Sequence, residues 1–303
     1  MTIKTATYTC AGGYEINEDS FLCIDGIYAV ADGLGGHENG EAASAAVIEY
    51  LSNSFVGDLS DDSVTALLEG ANNAVLALEN GSCSTVAAVL CSEDQIRLAN
   101  VGDSRAYYFR SGKLLTMTKD HSVCQAAVDL GDMTFDEIRD SADRSKLMKV
   151  LGGEKSLNLR KMYEPVTPQD GDAFLICSDG FWEYVYESEM ENDLLQSSDP
   201  EKWLNDMLER QLQRAKDKGD NYTAICGYIH VSDDGTKYKA ADQYVPPDEK
   251  IVSKPQARLW LLLIILAVLI GLAVFAVLCG TDHGDAEVSS LASESNKILM
   301  HFR

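Results

Sequence analysis

Four short turns built round aspartate hold the chain's most reactive side chains: Asn17-Glu18-Asp19, Asp32-Gly33-Leu34-Gly35-Gly36, Ser178-Asp179-Gly180 and Asp220-Asn221. Carboxylates are hard oxygen ligands, and several brought together would bind a hard divalent cation such as Mg2+ or Mn2+. Left without a cation they would repel one another and hold their protons to higher pH. The neighbouring glycines permit tight turns and expose backbone carbonyls as further oxygen ligands. Taken singly, an Asp-Gly pair is also a common hairpin turn. It is the set that points to chemistry.

Something must carry these turns to one place. Apolar, strand-like runs precede Asp32 (27–31) and Asp179 (173–177), and another follows Asp220 (222–229). Residues 21–31 and 84–91 read as strands, and 95–101 with 105–109 as a hairpin pair around Gly102-Asp103. Helical spacing of apolar residues predicts helices over 40–55, 61–79, 188–196 and 200–215, with Asp61 as an N-cap. The mixed, polar stretch 122–149 reads as a flap-like insertion outside the core. Strands and helices without regular βαβ alternation favour an α+β fold, an antiparallel sandwich flanked by helices.

The four turns, together with Gly102-Asp103-Ser104-Arg105, Asp120-His121-Ser122 and Leu151-Gly152-Gly153, closely resemble the metal-dependent protein serine/threonine phosphatases of type 2C. The resemblance runs from about Ala11 to Val231. It implies two mainly antiparallel central sheets with helices on both outer faces, and phosphoserine and phosphothreonine in proteins as substrates, opposing a serine/threonine kinase. It also implies two Mn2+ or Mg2+ ions and a weaker third. Mapped residue by residue, Asp32 would bridge two ions and Gly33 would give its carbonyl to one, while Asp179 and Asp220 would complete one shell. Glu18 would act through water, Asp103 would help hold the third ion beside Asp179, and Asp19 and Asn221 would support the ligands. Two ions about 4 Å apart would activate a shared water for in-line attack on phosphorus. None of the eight cysteines would be needed.

The match departs from the family in places. Tyr14 stands where the family carries a phosphate-gripping arginine, and a phenol brings neither charge nor a bidentate fork. Leu34 occupies the place of a histidine proposed as proton donor in some members, which leaves that role unassigned between water, His37 and His121. Gly81-Ser82-Cys83-Ser84-Thr85 replaces a Gly-Thr-Thr pattern, a minor difference. Two other classes stay open: a catalytically weak or inactive phosphoprotein-binding module, for which Tyr14 is the best support, and a calcium-binding protein, which the lack of a compact Asp-x-Asp-x-Asp-Gly loop disfavours.

Bulk properties set the limits. A formal charge of −23 over 303 residues opposes binding to the phosphate backbone of nucleic acid. Cysteines without Cys-x-x-Cys or zinc spacing fit a reduced, cytosolic compartment, and the short, polar first ten residues do not read as a secretory signal. The phosphatase domain is expected over residues 1–232 and a polar, proline-containing linker over 233–257. One transmembrane helix is expected over 258–279, and a short tail over 280–303. Its uncharged core starts at Leu259 and ends at Cys279, about 31 Å as a helix. Lys250, Lys254 and Arg258 before it, and Asp282, Asp285 and Glu287 after it, would place the N-terminal domain in the cytoplasm and the tail on the far side of the bilayer.

Overall fold

Runs such as Ile27–Leu34 and Ala173–Cys177 are apolar at nearly every position, which a strand tolerates only when both of its faces are covered. A computed structural model of the chain shows how this is met; it describes residues 1–35, 39–159, 162–216 and 219–231. The expected linker, membrane span and tail lie outside these residues. Among the described residues no helix is long and apolar enough to cross a membrane.

The strands are β1 (Thr2–Cys10), β2 (Asp19–Ile24), β3 (Ile27–Leu34), β4 (Cys83–Ser84), β5 (Val86–Cys91), β6 (Ile96–Val101), β7 (Arg105–Arg110), β8 (Lys113–Met117), β9 (Ala173–Cys177) and β10 (Tyr222–His230). They form two antiparallel sheets, one in the order β1-β10-β9-β7-β8, the other β2-β3-β5-β6 with β4 paired to β3. Helices α1 (Gly40–Ser54) and α2 (Asp61–Leu76) cover the second sheet. Short α3 (Val123–Leu130) and α4 (Asp179–Trp182) follow, then α5 (Glu187–Gln196) and α6 (Pro200–Ala215) on the outer face of the first sheet. This is the expected layering of helices, sheet, sheet and helices.

Side-chain alternation sorts each strand between two cores. In β3, Tyr28 and Val30 face inward and meet Phe174, Ile176 and Ile225 of the other sheet. Ala29 and Ala31 face outward against Val47 and Leu51 of α1. In β9, Leu175 and Cys177 instead face Trp203 and Met207 of α6.

Several local expectations need correction. Residues 95–101 and 105–109 are not a hairpin: β6 pairs with β5, while β7 pairs with β8 and β9. The turn between them carries the chain from one sheet to the other. Gly102 makes that crossing at φ +100°, and a Cβ there would lie 2.6 Å from Thr85 Cγ2. The N-cap of α2 is Ser60, whose side chain accepts from the Ser63 N–H; Asp61 is the first helical residue. The first ten residues, read only as a short polar segment, supply edge strand β1 along the full length of β10. The stretch 122–149 is not wholly outside the core, since Cys124 and Ile138 are buried in the cluster beneath α5 and α6.

Because Gly102 needs both a left-handed backbone and empty space, Gly102→Ala is expected to destabilise the fold by about 1–3 kcal/mol. Urea unfolding followed by tryptophan fluorescence checks this, and a change within about 0.5 kcal/mol would contradict it.

Candidate metal centre

Pairing between β2 and β3 puts Asp19 directly opposite Asp32. The first residue of α4 is Asp179, and Asp220 immediately precedes Asn221 and β10, the strand paired with β9. These neighbouring strand ends share one cleft of about 580 Å³, lined by Tyr14, Glu18, Asp32, Gly33, Asp103, Asp179, Asp220 and Asn221 among others. Of the candidate site residues that the structure describes, Asp19 and His121 stand behind this surface rather than on it. His37 lies outside the described residues.

Backbone and hydroxyl contacts hold the acids in place. The Asp32 N–H donates to Thr85 Oγ1 at 3.1 Å, and its carbonyl accepts from the Thr85 N–H at 2.8 Å and the Ser84 hydroxyl at 3.0 Å. Ser84 and Thr85 are therefore part of the positioning apparatus, a role the sequence comparison missed. Their hydroxyls beside a strand start were the available signal. Asp19 Oδ2 accepts from Ser178 and Thr223 hydroxyls, both at 2.7 Å, while its Oδ1 has no partner. Asn221 donates to the carbonyls of Ala11 and Ile16 and accepts from the Glu18 N–H at 2.8 Å. It thus ties the loop bearing Tyr14 and Glu18 to the start of β10.

Close backbone packing completes the arrangement. A Cβ on Gly33 would fall 2.1 Å from the Gly40 carbonyl oxygen, and one on Gly180 would fall 2.2 Å from that of Asn221. The Glu18 carboxylate lies against Gly40, the first residue of α1, where the helix N-terminus favours negative charge.

Charge is left uncompensated. Burial, followed by the charges of Asp19 and Asp179, pushes Asp32 well above the usual carboxylate range. Burial, then Asp103 and Asp220, does the same to Asp179. Asp103 rises to about 7, mainly through burial and then Asp120, and its Oδ1 is buried without a partner. Asp19 rises to about 6, again mainly through burial. Among the described residues, no three histidine, cysteine or acidic side chains already close into an ion-holding group. The donor set of carboxylates, a glycine carbonyl and room for water suits one or more hard divalent ions, and the orphaned oxygens of Asp19 and Asp103 mark where charge is missing.

His121 serves another purpose. Its Nδ1 accepts the Gly102 N–H at 3.2 Å, and its pKa falls to about 4, through burial first and then Lys149. A neutral ring therefore buttresses the Asp103 turn. Arg105 does so from the other side: buried completely, it donates twice to Asp120, each at 2.8 Å, and stacks 3.6 Å over Trp182. The Trp182 indole N–H in turn donates to the Asp103 carbonyl at 2.9 Å.

These shifts set a pH dependence. Asp19 and Asp103, with folded pKa values of about 6 and 7 against about 3.9 unfolded, contribute stability that is full below pH 4 and lost as pH rises through 6 to 7. His121 has the opposite sign, but only below about pH 6.5. The chelator-treated protein is therefore expected to lose stability from pH 6.5 to 8, with excess Mn2+ restoring most at pH 8. Urea midpoints at both pH values test this, and a chelated midpoint that rises over the interval would overturn it.

The protein phosphatase 2C family profile matches residues 15–221. The chain is 35% identical over 182 residues to the serine/threonine protein phosphatase PstP of Mycobacterium tuberculosis, covering 54% of this chain and 33% of that protein. It thus spans about a third of the length of that relative. Identity to the serine/threonine phosphatase stp of Listeria welshimeri is 30% over 229 residues, 71% of this chain and 87% of that one. Among solved structures, the Mycobacterium tuberculosis phosphatase PstP/Ppp superposes with a TM-score of 0.67 at 29% identity, covering 76% of this chain and 99% of that one. The PstP catalytic domain in complex with two manganese ions gives a TM-score of 0.65 at 28% identity, covering 76% of this chain and 99% of that one. With a profile match over most of its length and the aspartate turns gathered at one cleft, the chain belongs to the protein phosphatase 2C family.

Proposed function

We propose that this chain hydrolyses phosphoserine and phosphothreonine in proteins with the help of two Mn2+ or Mg2+ ions. The observation that carries the proposal is the convergence of Asp32, Asp103, Asp179 and Asp220, from remote segments, on one cleft without a lysine or arginine among its described lining residues. Asp32 would serve both ions and Gly33 would lend its carbonyl to one. Asp179 and Asp220 would complete one site, Glu18 would act through water, and Asp103 would hold a weaker third ion. When bound, such ions lower the pKa of a coordinated water and offset charge on the phosphoryl oxygens.

The chain's own residues prepare that chemistry. Ser84 and Thr85 fix the Asp32 backbone, Ser178 and Thr223 aim Asp19, and Asn221 secures the entrance loop. Burial pushes the Cys83, Cys177 and Cys226 thiols up, away from the nucleophilic thiolate. Tyr14, 63% exposed at the mouth, offers the substrate one phenolic hydrogen bond. Its lack of charge favours the second reading, a phosphoprotein-binding module with weak or no catalysis.

Hydrolysis of p-nitrophenyl phosphate separates the two. Activity is expected with Mn2+, absent with chelator, and reduced at least about 100-fold in Asp32→Asn, since even outer-shell partners of metal sites cost 10–100-fold. Metal-independent or undetectable hydrolysis by well-folded protein would sink the phosphatase reading.

The proposal includes a location. Residues 259–279 would anchor the domain of residues 1–232 through the 233–257 linker, with the basic flank facing the cytoplasm and an opposing kinase nearby. Full-length protein is expected to sediment with membranes and resist an alkaline wash, and a chain ending at residue 232 to stay in the supernatant. Full-length protein found only in the supernatant would remove the anchor.

A further inference from the structure

Six acidic residues line the cleft, Glu15 and Glu18 beside the four aspartates, and none of its described lining residues is cationic. A phosphomonoester brings up to about two further negative charges. Bound ions can neutralise charge and help orient the substrate, and a planar donor fork adds bidentate hydrogen bonds to the phosphoryl oxygens.

One such fork lies one residue along the chain from the cleft wall. Arg144 immediately precedes Ser145, and Ser145 and Leu147 form part of the cleft wall. Its Nη2 lies 2.7 Å from Glu183 Oε1. Glu183 sits one helical turn beyond Asp179, its N–H donating to the Asp179 carbonyl at 2.9 Å, and its charge is one of those acting on Asp179. The neighbouring Tyr184 feels Arg144, Asp179 and Asp220 together. Arg144 is therefore close to the cluster without being locked into it. The guanidinium groups of Arg97, Arg105 and Arg139 are almost wholly buried and tied to several partners each, whereas that of Arg144 is 38% exposed. Among the described residues, Glu183 is its only ion-pair partner. The carboxylate is the more buried member of this pair, at 15% exposure, and the arginine is the more solvent-accessible one.

We propose that Arg144 is the residue that binds the substrate phosphate in this cleft, resting on Glu183 and turning to the phosphoryl oxygens when a phosphomonoester enters. It supplies from the segment after α3 the charge that Tyr14 does not supply from the loop before β2. The inference rests on the phosphatase reading for its substrate, but phosphate affinity tests it without turnover.

The competing role is a strut, in which the Arg144–Glu183 pair only pins residues 141–149 to the domain. Breaking the same pair from either end distinguishes the two. Using the full chain in saturating Mn2+, inorganic phosphate affinity is measured by calorimetry, phosphopeptide KM and kcat by steady-state kinetics, and the unfolding midpoint by fluorescence. Arg144→Ala is expected to weaken phosphate binding and raise KM about tenfold, with a smaller change in kcat. Arg144→Lys, which keeps the ion pair and loses the fork, is expected to fall about midway. Glu183→Gln, which frees the arginine, is expected to keep or tighten phosphate affinity. Equal weakening in Arg144→Ala and Glu183→Gln would show a strut, and Arg144 variants within about twofold of the parent would overturn the inference outright. If the parent binds phosphate but never turns over phosphopeptide, the function fails while the affinity comparison still decides the role of Arg144.

Discussion

The molecule is organised around an electrostatic conflict. Asp19, Asp32, Asp103 and Asp179 are drawn together in a place where burial and mutual repulsion disfavour their charged forms. Asp19 and Asp32 are held there by contacts that do not neutralise them. Hydroxyls of Ser84, Thr85, Ser178 and Thr223 fix backbone or carboxylate oxygen without supplying positive charge. A scaffold that maintains such a cluster keeps a high local demand for a cation, and hard divalent ions meet it. The cost in stability is carried by the two-sheet frame, whose three apolar clusters enclose the strands on both faces.

That frame is stiffened where the ligands are mounted. The Gly102–Ser104 crossing joins the two sheets, so any slack there would let Asp103 drift from Asp179. Buried Arg105 prevents this by linking Asp120, Trp182 and, at 3.5 Å, Glu187. Arg139 binds Glu187 as well and donates to the Trp182 carbonyl, placing a second guanidinium against the same indole. Because Trp182 closes the short helix that Asp179 opens, the two acids are referenced to one rigid element. A buried charge pair of this kind adds little net stability over an apolar alternative, and its value here is geometric.

The segment between α3 and β9 shows how the same scaffold admits variation. It returns to the site twice, with Ser145 and Leu147 on the cleft wall and Leu151 bridged to Ser84 beneath Asp32. Two of its cations form ion pairs with neighbouring carboxylates, Lys146 with Asp143 and Arg144 with Glu183. The strand ends carry the carboxylates, and this segment and the Tyr14 loop supply further walls of the same cleft.

The order of the aspartate turns, the apolar strands beside them and the two-sheet α+β layering were legible in the chain because they rest on local patterns: residue type, period and turn chemistry. The role of Ser84 and Thr85 was not, since a hydroxyl's partner is set by register, and the Asp32–Thr85 contact spans 53 positions. The supposed hairpin at 95–109 failed for a related reason. Two adjacent strands separated by a glycine turn look alike whether they pair with each other or part into different sheets. Only the packing of Tyr108 and Ala106 against Phe174 and Val89 between the sheets decides. Sequence alone thus determined which groups could meet a cation. Tertiary structure decided which oxygens stay unpaired and which arginines are buried among several partners, because those depend on distances between segments that no local pattern encodes.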